Sequence, residues 1–174
     1  MMEITLTRGK VTLVDDADFD WLNQWSWCAR PNRWKNSPRI TWYACRRKRR
    51  SEVGSGPRRN INMHTAILAH YGLPSERCDH EDGNGLNNQK ENLRPATAFQ
   101  NNGNTVRARN NSSGYKGVHF DRVRGKWRAA IGQNNAMRQL GRFDTPKEAA
   151  EAYDLAAIAL FGNFAKTNAA MGLL

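Results

Sequence analysis

Apolar and polar residues alternate with a period of two at the start of the chain. Ile4 and Leu6 precede a turn at residues 8 and 9, and Val11 and Leu13 follow it. Because successive side chains of a β-strand point to opposite faces, this alternation predicts a hairpin with these apolar side chains on one buried face.

Two short helices and two strands are predicted before residue 75. Asp15 or Asp16 offers an N-cap for the first helix, which carries Phe19 and Leu22. The second helix is predicted over residues 63–71, MHTAILAHY, and its two histidines are interpreted as packed or surface residues. The strands, both rich in aromatic residues, are predicted near residues 26–30 and 40–46.

Tryptophan is concentrated in one short part of the chain. Five tryptophans lie within 22 positions, and we expect them to build a compact aromatic core for a domain with few aliphatic residues. Stacking of one of them on a nucleic-acid base is the alternative. The five are Trp21, Trp25, Trp27, Trp34 and Trp42.

The strongest local signals lie beyond residue 113. The segments YKGVHF, KWRAAI and RQLGRF predict three short strands separated by turns. Thr145 is the predicted N-cap of a helix, with Pro146 in its first position, Glu148 completing a capping box and Gly162 after its last turn. Apolar residues recur three and four positions apart, so one face of this helix is predicted to pack on the sheet.

Composition adds a strong positive charge to this picture. The chain has 174 residues with 27 Lys and Arg against 16 Asp and Glu, a net charge of +11 and a pI near 10.1, which predicts a polyanionic partner. Neither an apolar run of the roughly 20 residues that a membrane span needs nor a signal region is present, so we expect a soluble, cytoplasmic protein. Cys28, Cys45 and Cys78 form no C-x-x-C pair, and reduced thiols are expected.

Positive charge is clustered in two segments that are candidates for DNA contact. The run RRKRR occupies residues 46–50, where a solvated hairpin tip or a nuclear-import signal is the alternative. Residues 102–113 have almost no apolar content and predict a linker that follows a phosphate backbone or enters a minor groove. The candidate contacts are Arg46, Arg47, Lys48, Arg49, Arg107 and Arg109.

An acidic island interrupts this basic chain. Residues 63–101 carry a net charge of −2, against +7 for residues 1–62. Carboxylates weaken the binding of a polyanion unless a cation lies between them and the phosphate, which favours a metal site over a polar surface loop. An EF-hand loop counted from Asp79 is disfavoured because Gly83 falls on a ligand position.

Hydrolysis of a phosphodiester needs a base near neutral pH and a cation that stabilises developing charge. His80 is a candidate for the base, and the carboxylate of Asp79 is a suitable ligand for the cation. Adjacent residues of a strand normally point to opposite faces, so a site built from both needs a local twist or an approach from two sides. Thr97 is a candidate N-cap for a helix that brings Asn101 back toward the strand of Asp79.

The run DHEDGNGLNNQKENLRPATAFQN resembles the HNH motif of homing endonucleases from phages and bacteria. The resemblance implies that His80 is the general base, that Asp79 and Asn101 are ligands of a single Mg²⁺ or Mn²⁺, and that Asn92 braces the loop. It also implies a fold of two antiparallel strands and one helix around the metal. Pro95 lacks an amide hydrogen, which removes one donor from the second strand.

Residues 113–168 resemble the DNA-binding domain of plant ethylene-response factors, a domain also found fused to phage HNH nucleases. The motifs GYKGV, GKWRAAI and LGRFDTPKEAAEAYDLAAIALFG carry the resemblance. It implies that a three-stranded sheet enters the DNA major groove while a helix supports it from behind. Because Ala130, Gly132 and Gln139 depart from the plant pattern, the base preference is not inherited. The implied contacts are Lys116, His119, Trp127, Arg128 and Arg138.

The sequence thus predicts an α+β protein whose HNH core is of the ββα-metal type. The predicted function is a metal-dependent endonuclease that cuts double-stranded DNA and nicks as a monomer. The alternatives are a catalytically inactive DNA-binding regulator and a nuclease acting on RNA. The predicted segments are a basic β-rich region at 1–62, the HNH core at 63–104, a linker at 105–112 and the DNA-binding domain at 113–174.

Overall fold

The computed structural model describes residues 1–33, 40–53, 55, 59–108, 111–133 and 136–174. It divides into two compact units, Met1–Thr97 (unit 1) and Ala98–Leu174 (unit 2). Both mix helices with small antiparallel sheets, which is consistent with the predicted α+β class. No helix of the described ranges is long and apolar enough to cross a membrane.

Unit 1 contains seven strands and two helices within its described residues. β1 pairs with β2, β4 lies between β3 and β5, and β6 pairs with β7. The elements are β1 (Met2–Thr5), β2 (Val11–Val14), α1 (Asp16–Asn23), β3 (Cys28–Arg33), β4 (Ile40–Arg47), β5 (Asn60–Asn62), α2 (Met63–His70), β6 (Cys78–His80) and β7 (Leu93–Pro95).

The N-terminal hairpin forms as predicted, but with the other face of β2 turned inward. Ile4 is buried as expected and lies opposite Thr12. The predicted inward position of Val11 is wrong: Val11 is exposed, whereas Thr12 and Val14 are buried. Thr12 is stable in the interior because its hydroxyl donates a hydrogen bond of 2.7 Å to the carbonyl of Leu86.

One hydrophobic core connects the N-terminal elements with α2 and β7. Leu22, Ile67 and Leu93 belong to the same buried cluster, so the expected segment boundary at residue 62 falls inside a compact unit. The aromatic core is confirmed for Trp27, which is buried in this cluster, and for Trp21, Trp25 and Trp42, which pack against it. Trp34 lies outside the described residues.

Unit 2 has the sheet and the long helix that the sequence predicts. β8 (Val118–Asp121), β9 (Lys126–Gln133) and β10 (Ala136–Phe143) form an antiparallel sheet in the order β10-β9-β8, and α4 (Pro146–Phe161) packs on one face. The predicted capping box is confirmed. Thr145 Oγ1 accepts a hydrogen bond from the Glu148 amide at 3.2 Å, and the Glu148 carboxylate accepts one from the Thr145 amide at 3.1 Å.

Most of the predicted linker is part of unit 2. The short helix α3 (Ala98–Gly103) places the ring of Phe99 5.0 Å from that of Phe161. The amide of Asn111 donates to the carbonyl of Tyr115 at 2.7 Å and to that of Val118 in β8 at 3.4 Å, which ties the segment after α3 to the sheet. These contacts explain why the compact unit begins at Ala98 and not near residue 112.

Candidate functional site

The pair β6–β7 holds the acidic residue of the candidate site. Asp79 lies directly opposite Arg94 in this two-stranded sheet. Arg94 Nη2 and Nε approach Asp79 Oδ2 at 2.7 and 2.9 Å, and Arg94 Nη1 lies 3.6 Å from the carboxylate of Glu81. Asp79 is only 7% exposed, so this charge-assisted pair both compensates the buried carboxylate and fixes its orientation.

The ring of His80 packs against a different set of side chains from those around Asp79. His80 Nε2 lies 3.4 Å from Asn88 Oδ1, and the ring is 5.0 Å from that of His64 and 5.8 Å from that of Tyr43. Burial lowers the pKa of His80, while the Asn88 hydrogen bond and the nearby carboxylates of Asp82 and Asp79 act in the opposite direction. The environment therefore favours a neutral imidazole, as a general base requires.

The loop between β6 and β7 is attached to strand β2. Leu13 donates its amide to the carbonyl of Leu86 at 2.9 Å and accepts at its own carbonyl from the amide of Asn88 at 2.8 Å. Within the loop, Asn92 accepts from the amide of Asp82 at 3.0 Å and donates to the carbonyl of Asn87 at 2.8 Å. The first bond joins the two ends of the loop to each other, and the second joins its end at Asn92 to its centre.

His64, which the sequence analysis interprets as a packed or surface residue, lies close to the candidate site. Its ring is edge-on to that of His80, and its Nδ1 is a buried atom without a hydrogen-bond partner within the described structure. Burial, and then the neighbouring His80, lower its pKa to about 3. Together with Arg30, Tyr43 and Cys78 it lines a cavity of about 300 Å³.

The described residues contain no group of three or more His, Cys, Asp or Glu side chains placed to hold a metal ion. A Mg²⁺ ion held by a single carboxylate needs no such cluster, because phosphate oxygens and waters complete its coordination. Asp79 fits this role, since both Arg94 contacts fall on one carboxylate oxygen and orient the group. Asn101 lies in α3 of unit 2, and its role as a ligand stays a prediction.

The basic run at residues 46–50, which begins in β4, contains one structural arginine and several more exposed residues. Arg46 is buried: its guanidinium binds the carboxylate of Glu52 with two bonds of 2.7 Å and lies 3.8 Å from the ring centroid of Trp25. Arg46 is therefore better explained as a structural residue than as a DNA contact. The guanidinium of Arg49 also lies over Trp25, 4.1 Å from its ring centroid. Arg47 is exposed and Lys48 is half-buried.

Two candidate contacts come from the predicted linker. The guanidinium of Arg107 donates a hydrogen bond of 3.3 Å to the carbonyl of Asn111, which helps to order this segment on unit 2. Arg109 lies outside the described residues.

The sheet of unit 2 carries a row of one histidine and two arginines (the cationic row) on the face away from α4. His119 pairs with Arg128, and Arg128 pairs in turn with Arg142 on the third strand. The three residues line one shallow depression of about 420 Å³ together with Arg124. Sequence reasoning missed Arg142, which enters this row because a β-bulge between Gln139 and Gly141 shifts the register of β10.

Three other candidates lie in positions that differ from this row. Lys116 is only 9% exposed, and its ammonium donates to the carbonyls of residues 103 and 166 at 3.0 Å each. Its role is therefore structural, and burial lowers its pKa to about 8. Trp127 packs against the core of unit 2. Arg138 lies opposite the buried Ile131 in the sheet, which places residue 138 on the face that carries α4 and not in the row.

Comparison with known proteins identifies one domain family and several relatives. The AP2 domain family matches residues 113–163. The protein named uncharacterized HNH endonuclease L560, from Acanthamoeba polyphaga mimivirus, is 37% identical over 97 residues, which are 55% of this chain and 49% of that protein. Protein 3.8 of Escherichia phage T7 is 35% identical over 86 residues, which are 49% of this chain and 69% of that protein.

The similarity to plant proteins is confined to a shorter segment. AP2-like ethylene-responsive transcription factor ANT of Arabidopsis thaliana is 48% identical over 56 residues, which are 31% of this chain and 10% of that protein. The chain thus spans about half the length of the mimivirus protein and about a tenth of the plant factor. These matches confirm the resemblance to both families. The chain belongs to the same family as protein 3.8 of phage T7, and its homologies are those of an HNH endonuclease joined to an AP2 domain.

Proposed function

We propose that the chain is a metal-dependent endonuclease that hydrolyses phosphodiester bonds in double-stranded DNA. The observation that carries the proposal is the pair Asp79 and His80 on β6, both buried and each oriented by its own partner, Arg94 and Asn88. Orientation by fixed partners is what a catalytic pair requires. Homology to a viral HNH endonuclease supports the same reaction class.

In this proposal His80 is the general base. Its neutral ring takes a proton from water while the water oxygen forms a bond to phosphorus, and the opposite phosphorus–oxygen ester bond breaks. The departing oxygen receives a proton from solvent. Asp79 holds Mg²⁺ or Mn²⁺, which supplies charge stabilisation at the phosphate, and Arg94 keeps the Asp79 carboxylate in place. The resemblance assigns Asn101 as a further ligand.

The AP2 domain supplies DNA binding in this proposal. In the cationic row, Arg128 and Arg142 present positive charge on two neighbouring strands, and His119 extends the row to the third strand. Arginine side chains at this spacing bind phosphates or the edges of guanine. This assignment rests on the register of the sheet together with the 48% identity to plant AP2 factors.

Supercoiled plasmid incubated with the protein and Mg²⁺ tests the nuclease directly. We expect conversion to the open-circular form, which reports single-strand nicks from a monomer, and no conversion with EDTA or with His80→Ala. His70→Ala is the matched control, because His70 stacks on Trp21 at 4.6 Å and is outside the candidate site. If the plasmid is bound but never cut, a catalytically inactive DNA-binding regulator is the better assignment. Faster cleavage of RNA would favour the RNA nuclease.

A further inference from the structure

Two buried polar side chains lie in a row behind the candidate base. Thr12 of β2 and Asn88 of the loop are both 0% exposed, and Asn88 Nδ2 lies 2.7 Å from Thr12 Oγ1. The other end of the same amide, Oδ1, lies 3.4 Å from His80 Nε2. The row connects residues 76 positions apart in the sequence.

The direction of each hydrogen bond in the row follows from what its atoms are able to donate. The carbonyl of Leu86 only accepts, so the hydroxyl of Thr12, 2.7 Å away, uses its single hydrogen there. A second acceptor near this hydroxyl is the sulfur of Met63 at 3.9 Å. In both cases Thr12 Oγ1 offers only lone pairs to Asn88.

The orientation of the Asn88 amide follows from this. Its NH₂ group must face Thr12 Oγ1, because two acceptors do not bond to each other. Its carbonyl oxygen therefore faces His80, and since this oxygen only accepts, the hydrogen must lie on His80 Nε2. A neutral imidazole carries one such hydrogen, so the lone pair is on Nδ1.

We infer that Thr12 and Asn88 are positioning residues that hold His80 in the tautomer with hydrogen on Nε2, so that the lone pair of the proposed general base lies on Nδ1. The inference rests on the proposed function for its catalytic meaning, although the tautomer itself is measurable without cleavage. It makes the N-terminal hairpin part of the catalytic apparatus. The backbone bonds of Leu13 to residues 86 and 88 hold the loop that carries Asn88 against β2.

The tautomer is read directly from a long-range ¹H–¹⁵N correlation spectrum of the full chain labelled with ¹⁵N-histidine. The chain has four histidines, and His80→Gln identifies the signals of His80. We expect Nε2 to be the protonated nitrogen of the neutral His80 ring. Hydrogen on Nδ1, or an equal mixture of both tautomers, would overturn the inference on the native protein alone.

Variants test whether the two residues cause this preference. Asn88→Leu removes the acceptor and Thr12→Val removes the atom that orients the amide, so both should give a mixture of tautomers. Nicking should then fall about five- to tenfold in kcat, the effect of one buried hydrogen bond, with unchanged DNA affinity. Thr12→Ser retains the hydroxyl that orients the amide and should keep the native tautomer. Thr5→Val is the matched control, an exposed threonine in the same hairpin.

The outcomes separate this inference from the proposed function. A native-like tautomer in both folded Asn88→Leu and Thr12→Val would overturn the positioning role. A chain that shows the expected tautomers but never nicks plasmid contradicts the nuclease and leaves the hydrogen-bond row intact. If Thr12→Val fails to fold, the spectra of the native chain, Asn88→Leu and Thr12→Ser still show whether the hydrogen-bond row sets the tautomer of His80.

Discussion

The carboxylate of Asp79 owes its orientation to one arginine on the neighbouring strand. Arg94 uses two nitrogens of its planar guanidinium to hold a single carboxylate oxygen. A lysine keeps the positive charge at this position but loses the fixed geometry of two bonds. Orientation, and not charge alone, is therefore the property that a substitution at residue 94 tests.

Arg94→Lys should lower the nicking rate about ten- to a hundredfold without unfolding unit 1, because the carboxylate loses one of its two bonds. Plasmid nicking over a Mg²⁺ titration measures this, with tryptophan fluorescence as the check on folding. Arg77→Lys is the matched control, an exposed arginine just before β6. Equal rates for the two variants would contradict an orienting role for Arg94.

The buried Arg46 predicts a pH dependence of stability. Its hydrogen bonds lower the pKa of Glu52 from 4.5 to about 2. The unfolded chain therefore binds this proton first, so the stabilisation is fully present above about pH 4.5 and is lost as the pH falls toward 2. Because Glu52 is exposed, water screens the pair, so Glu52→Gln should lower the free energy of unfolding at pH 6 by only about 1 kcal/mol and lose less stability on acidification.

Urea unfolding at pH 6 and pH 3 measures this change. Tryptophan fluorescence reports mainly on unit 1, since five of the six tryptophans precede residue 43. The exposed Glu76 supplies the control variant Glu76→Gln. A Glu52→Gln variant with the same acid sensitivity as the native chain would rule out the pair as its source.

At the scale of elements, the loop between β6 and β7 depends on its close approach to β4. A Cβ atom on Gly85 would lie 2.5 Å from the carbonyl oxygen of Trp42 and 2.6 Å from the ring of Tyr43. Real Cβ atoms do not approach backbone so closely, so any side chain here displaces the loop. The same loop carries Asn88, which contacts His80.

Gly85→Ala should therefore destabilise unit 1 by about 1 to 3 kcal/mol and reduce nicking further than lost stability explains. Urea unfolding and plasmid nicking of the same samples measure both effects. Gly132→Ala is the control, because its new Cβ would meet only Met137 Sδ at 3.9 Å. Native activity in Gly85→Ala would show that the loop tolerates the displacement.

At the scale of the whole molecule, charge is spread over both units. Residues 1–97 hold 16 Lys and Arg against 11 Asp and Glu, and residues 98–174 hold 11 against 5. Binding to DNA should therefore weaken steeply with salt, because each neutralised phosphate releases counterions. The acidic residues around Asp79 lower this attraction unless a divalent cation is present.

Arg128→Gln should weaken DNA binding and reduce the slope of log Kobs against log[salt] by about 1, if Arg128 contacts a phosphate. Fluorescence anisotropy with a labelled duplex over a salt series measures the slope. Lys147→Gln is the control with the same charge change, since Lys147 is exposed at the start of α4 and not on the cationic row. Equal slopes for the two variants would place Arg128 outside the DNA contact.

Local signals determined the elements of this protein. The hairpin turn, the helix α2 and the capping box of α4 depend on residues within a few positions of one another, and each forms as predicted. The AP2 sheet was predictable for the same reason, because its strands follow one another along the chain. Asp79 and His80 were singled out by their chemical character and by a motif.

Tertiary structure decided which side chains serve the site and which serve the core. No local pattern predicts that Thr12 is buried against Asn88, that Arg46 lies over Trp25, or that a bulge brings Arg142 beside Arg128. Each of these contacts joins residues that are distant in sequence or depends on strand register. Thr12 and Arg46 are polar groups that folding has removed from water, and the need to satisfy them exists only once the chain has packed.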